Sequence, residues 1–204
     1  TAIPLEIEVE GLTSSCKRFL NAASEEGITW GETHSVMVCP SRFNAIARKW
    51  NSKGGVLSET LGELIQRRRE VHDAKESMHF FVDKHGGRNA YAATLQNSFP
   101  EGIVMTEHES ATLSRYRVHG IEGEVTISFQ PRADQDHLNV AAASMVSKYL
   151  REVLMMEFNQ FWRTHLPNLK PTAGYPVDAK RFLGEIEPTM RKLGIERDCI
   201  WRDK

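Results

Sequence analysis

Between residues 135 and 166 the chain contains neither glycine nor proline. A stretch with no breaker has room for one continuous helix of roughly 25–30 residues. Val140, Ala143, Val146, Leu150, Leu154, Phe158 and Phe161 recur along it at helical spacing and predict a buried side. A helix that long needs another layer to lie against, so the rest of the chain decides the fold class.

That remainder alternates between strand-like and helix-like runs. Residues 78–82 (MHFFV) read as a buried strand ending at Asp83. Residues 102–106 read as the next strand, and 113–119 with 124–129 as a hairpin about Gly120 and Gly123. Residues 3–9 alternate like a short strand, and 28–38 read as one strand or two with a kink at Gly31. Helical patterns cover 14–26, stopped by Gly27, then 40–50 opened by Pro40, 56–72, 89–97 and 177–193. Strands interleaved with helices predict an α/β fold. No repeat or linker divides residues 1–204, so a single domain is expected.

Composition narrows the function classes. The 204 residues are 40% hydrophobic, enough for one real core. With 26 basic and 27 acidic residues the net charge is -1, so any nucleic-acid surface has to be local rather than global. No apolar run approaches the roughly 18 residues of a membrane helix, so no membrane partner is expected. Cys16, Cys39 and Cys199 are odd in number, widely spaced and lack a CxxC, which fits a reducing cytoplasm. The P-loop, GxSxG, HExxH and GxGxxG patterns are absent from the sequence.

Acids at two places carry the chemical interest. Asp83 stands at the carboxy end of an apolar strand, ahead of a Gly-Gly loop. There α/β proteins place catalytic or metal-binding acids, and there a turn-forming Asp also belongs. Asp134 and Asp136 precede the long helix, where helix capping is the simpler reading of an isolated Asp. Two acids from separate segments meeting at one spot instead make a site for Mg²⁺ or Mn²⁺, hard cations that want carboxylate oxygens. Lys84, His85 and Arg88 flank Asp83. Lys148 and Arg151 follow Ser144 at one and two turns, and Lys170, Thr172 and Tyr175 line the loop PTAGYP. Cations, hydroxyls and an aromatic suit phosphate contacts and base stacking, while by composition alone a solvated face is the simpler reading. Glu107, Glu109, Ser114, Arg115 and Tyr116 form a further polar cluster with the same two readings.

The order of these motifs resembles the type 2 ribonucleases H. FFVDKHGGRNAYAATLQNSFP (80–100) is similar to the family's strand ending in a metal-binding Asp, followed by Gly, Tyr, Leu and Phe-Pro. ADQDHLNVAAASMVSKYLRE (133–152) is similar to its Asp, spacer, Ala-Ala-Ser and basic helix, and GYP (174–176) to the loop carrying its stacking Tyr. RFNAIARKWNSKGGVL (42–57) resembles an upstream helical segment more weakly. HGGR, ESATLSRY and PTAGYP look like a bacterial side branch of the family.

The resemblance implies a ribonuclease H-like mixed five-stranded sheet with helices on both sides, plus an inserted hairpin near 107–130. It implies a metal-dependent endonuclease hydrolysing RNA in an RNA–DNA hybrid or at embedded ribonucleotides, leaving a 5′-phosphate. Asp83 and Asp134 take the metal-ligand roles, Tyr175 stacks on the substrate, and Ser144, Lys148, Arg151, Lys170 and Arg88 contact it. The family's opening Asp-Glu-Ala-Gly strand has no counterpart here, since IEVEG (7–11) offers Glu8 and Glu10 in other surroundings. The chain is therefore expected to be the C-terminal part of a longer protein. The alternative is a non-catalytic ribonuclease H-like module that binds nucleic acid.

Overall fold

A computed structural model describes residues 9–71 and 75–203. The chain divides into two compact units, residues 1–34 and 35–204.

In the first unit, α1 spans Val9–Glu25. Its end follows from Gly27, whose φ of 71° lets the chain turn back. The Ile28 amide then donates to the Ala23 carbonyl at 2.8 Å and the Gly27 amide to Ser24 at 3.0 Å, closing the last turn. Phe19 meets Trp30 edge-on, with ring centroids 5.7 Å apart. The helix starts earlier than the sequence suggests. The strand expected at 3–9 lies outside the described residues except for Val9, which is helical. The strand expected at 28–38 is not formed. That stretch has strand-like composition, but among the described residues nothing pairs with it, and a lone extended run has no ladder to stabilise it.

The second unit is α/β. Pro40 opens α2 (Pro40–Lys49), and Ser52 caps α3 (Lys53–Glu70) by accepting the Gly54 amide at 3.1 Å. Then follow β1 (Met78–Asp83), α4 (Ala92–Gln96), β2 (Ile103–Glu109), β3 (Ser114–His119), β4 (Val125–Gln130), α5 (Ala133–Asp136), α6 (Leu138–His165) and α7 (Pro176–Leu193). The strands form a four-stranded mixed sheet ordered β1-β4-β3-β2, with β1 parallel to β4 and the other pairs antiparallel. The β3–β4 hairpin turns where the sequence places it, and it is built into the sheet rather than appended. Tyr116, Ile127 and Phe129 lie at the centre of the core.

Side chains alternate across β1, so Phe80 and Val82 face the core beneath α3 and α4. Phe81 faces the other way, where His137 at the start of α6 stacks on it at 4.1 Å. The sheet is thus covered from both faces at β1.

The long helix forms as one piece, but its packing corrects the expectation. Leu154 is 49% exposed, Phe161 is 45% exposed and Ala143 is exposed, and only Trp162 is fully buried. The reason is length. A helix of 28 residues runs about 42 Å, while a six-residue strand spans about 20 Å, so α6 overhangs the sheet. Its far end builds a second core, in which Trp162 packs with Leu169, Phe182, Ile186 and Met190. The chain's last residues return to α2. The buried Asn44 side chain donates to the Trp201 carbonyl at 2.9 Å and accepts the Asp203 amide at 2.7 Å. Among the described residues no helix is long and apolar enough to cross a membrane.

Candidate active site at the end of the parallel strand pair

The parallel register pairs Asp83 with Gln130, so β1 and β4 end side by side. The Lys84 amide donates to the Gln130 carbonyl at 3.1 Å and extends the pairing past Asp83. Beyond β4 the chain must turn sharply. Arg132 takes a left-handed conformation, φ 56°, and Ala133 is buried directly after it. That turn brings the Ala133 amide to Asp83, whose Oδ1 accepts it at 3.3 Å. Asp134 is the next residue. The two acids singled out from the sequence therefore come from segments in direct contact, and both are exposed. Asp136 accepts from Gln130 Nε2 at 3.1 Å. Asp134 and Asp136 sit in the short α5, and His137 breaks the helix between them and α6, so neither caps the long helix.

Two carboxylates at the open end of a parallel pair are the right donor type for a hard divalent cation. They are too few to complete its shell. Among the described residues, no group of three or more His, Cys, Asp or Glu side chains is placed to hold a metal ion. The outer edge of β1, next to Asp83, has no paired strand among the described residues.

The loop after Asp83 is held in place. Lys84 Nζ donates to Asn89 Oδ1 at 2.9 Å, to the Ser110 carbonyl at 2.5 Å and to Ser114 Oγ at 3.1 Å. Burial lowers the pKa of this ammonium. Burial, reinforced by the Arg88 charge, likewise keeps His85 below the usual imidazole range, against an opposing pull from Asp83. Arg88 donates to Ser58 Oγ at 2.8 Å, Thr94 Oγ1 at 2.7 Å and the Ala90 carbonyl at 2.8 Å. Its guanidinium thus pins the loop to α3 and α4.

Ser144, Lys148 and Arg151 share one face of α6 at i, i+4 and i+7. Arg151 closes this row on a second group. Its Nη2 donates to the Ala173 carbonyl at 2.5 Å, and its guanidinium lies 5.7 Å from the centroid of the Tyr175 ring. Tyr175 and Lys170 are exposed. The structure therefore places the segment that carries Asp134 against Asp83 and Arg151 against Tyr175, and sets Ser144 and Lys148 on the Arg151 face of α6. Arg88 belongs to the loop scaffold. Sequence reasoning missed Asn159, Asp178 and Arg181, which fix the Tyr175 loop. The i,i+3 spacing of Asp178 and Arg181 was the available signal.

No protein family, curated protein or solved structure matches this chain.

Proposed function

We propose that this chain is a ribonuclease H-like module acting on RNA–DNA hybrid or other ribonucleotide-containing duplexes, with its chemistry at Asp83 and Asp134. One observation carries the reading: Asp83 at the carboxy end of a parallel strand accepts the amide next to Asp134. Ligand sites in open α/β sheets gather outside the carboxy ends of strands. Bound Mg²⁺ or Mn²⁺ would activate water and stabilise the leaving oxygen. Asp83 and Asp134 would hold it together with acids from a further strand, and the edge of β1, unpaired among the described residues, offers the place for one. Lys148 and Lys170 are exposed cations available to phosphates, and Tyr175 offers a ring to a base or sugar.

The second reading is a module that binds the duplex without cutting it. The absence of a third metal-ligating group beside the two acids, among the described residues, favours it. One assay separates them. A labelled duplex with a single embedded ribonucleotide is incubated with the chain, and with a version extended upstream in its reading frame, over a series of Mg²⁺ and Mn²⁺ concentrations. Metal-dependent cutting by the extended protein, lost in Asp134→Asn, supports the enzyme. Binding without cutting in both supports the second reading, and no binding in either sinks both.

A further inference from the structure

The segment from Lys170 to Tyr175 is held from two helices. Thr172 is 6% exposed, and all of its polar atoms are used. Its amide donates to Asn159 Oδ1 at 2.8 Å and its carbonyl accepts from Asn159 Nδ2 at 2.8 Å. Its hydroxyl donates to Asp178 Oδ2 at 2.5 Å and accepts the Gly174 amide at 3.0 Å. Asp178 also takes the Ala173 amide at 3.2 Å and Arg181 Nη2 at 2.7 Å. Arg181 reaches on to the carbonyls of Lys170 at 3.3 Å and Pro171 at 3.2 Å. Gly174, with φ of 77°, makes the bend.

So much order has a product. The core beside this loop takes Leu169 but leaves Tyr175 66% exposed, with Arg151 against one side of its ring. An ordered loop presenting an exposed aromatic ring loses little conformational freedom when that ring stacks on something flat, and that saving strengthens binding. We infer that Asn159, Thr172, Asp178 and Arg181 are positioning residues that hold Tyr175 as a ready-made stacking platform for a nucleic-acid base or sugar, and that Arg151 backs the ring rather than gripping a phosphate. The inference rests on the proposed reading that the chain binds a ribonucleotide-containing duplex. The hydroxyl of Thr172 and the Arg181 guanidinium both favour ionised Asp178, whose pKa they lower, so the clamp is charged at neutral pH.

The test uses a hybrid duplex with 2-aminopurine next to one embedded ribonucleotide, in EDTA so that nothing is cut. Fluorescence anisotropy reads affinity, and 2-aminopurine emission reads stacking. Tyr175→Ala should weaken binding about 5- to 100-fold and remove the emission change. Thr172→Val should move both readouts in the same direction, about 3- to 10-fold in affinity, and Thr172→Ser should restore them. Asp178→Asn, at a more exposed position, gives a second measure should Thr172→Val fail to fold. Wild-type emission change in folded Thr172→Val or Asp178→Asn overturns the positioning role while duplex binding stands. Failure of the wild type to bind at all removes the nucleic-acid reading itself, and every arm then reads alike.

Discussion

The backbone amide of Tyr91 donates to the phenolic oxygen of Tyr116, 2.8 Å away, and ties the loop behind Asp83 to the centre of β3. The same hydroxyl donates to Glu109 Oε1 at 2.5 Å, and nearby Ser114 Oγ donates to the Asn89 carbonyl at 2.6 Å. The β2–β3 pair thus serves as a scaffold for the segment that follows the strand-end acid.

Tyr116→Phe keeps the ring and deletes this junction. It leaves the Tyr91 amide without its partner, so urea unfolding should show a loss of about 1–3 kcal/mol. The pH dependence has a defined sign. Burial first, then the Glu109 carboxylate, pushes the phenol well above its ordinary value of 10.0. The folded chain therefore keeps a proton that the unfolded chain releases near pH 10. This contribution is fully present below that pH and is lost as pH rises further. Between pH 9 and 11 the wild type should lose stability more steeply than Tyr116→Phe, and parallel curves would show that the phenol does not titrate differently on folding.

Much of the sheet was legible because its signals are local. MHFFV ending in Asp83, the turn at Gly120–Gly123 and the helix opened by Pro40 each carry their own periodicity or breaker. The meeting of Asp83 with the Asp134 segment was foreshadowed by motif order alone. What failed depended on neighbours. The apolar spacing along α6 is the same whether a partner layer lies beside it or not, and residues 28–38 have strand composition without a strand, among the described residues, to pair with. The hydrogen bonds of Arg88 were likewise not legible, because the groups that engage it, Ser58 and Thr94, come from two separate helices.

The exposed middle of α6 makes a quantitative contrast. Leu154 is 49% exposed, so Leu154→Ala should cost no more than about 1 kcal/mol. Ile186 is fully buried in the second core, and Ile186→Ala should cost about 2–5 kcal/mol. Chemical denaturation of both variants checks the assignment. A large loss for Leu154→Ala would mean that another layer covers α6 in solution.

Cys39 offers a surface prediction. It is exposed at the N-cap of α2, with its sulfur 3.3 Å from Ser41 Oγ. The Ser41 hydroxyl, then the Arg42 amide, stabilises the thiolate and lowers the pKa below the ordinary 9.0. In a Cys16→Ser, Cys199→Ser background, the rate of alkylation against pH should have its midpoint below 9.0. Ser41→Ala should shift that midpoint upward, and an unmoved profile would remove the hydroxyl from the explanation.

Under the proposed function Asp83 has two separable tasks, and its variants can divide them. Its Oδ1 accepts the Ala133 amide, a structural bond that an Asn side-chain carbonyl can also make. Its negative charge is needed only if a cation is held there, because two divalent ions about 4 Å apart repel and require anionic ligands to coexist. Asp83→Asn should therefore leave the melting temperature nearly unchanged while lowering metal-dependent cleavage by the upstream-extended protein about 10²-fold or more. Asp83→Ala should lose the activity and also some stability, since the Ala133 amide is left without its acceptor. Asp134→Asn should match Asp83→Asn in activity. If both Asn variants cut as well as the wild type across a Mg²⁺ and Mn²⁺ series, the two acids only shape the turn after β4, and the catalytic centre lies elsewhere.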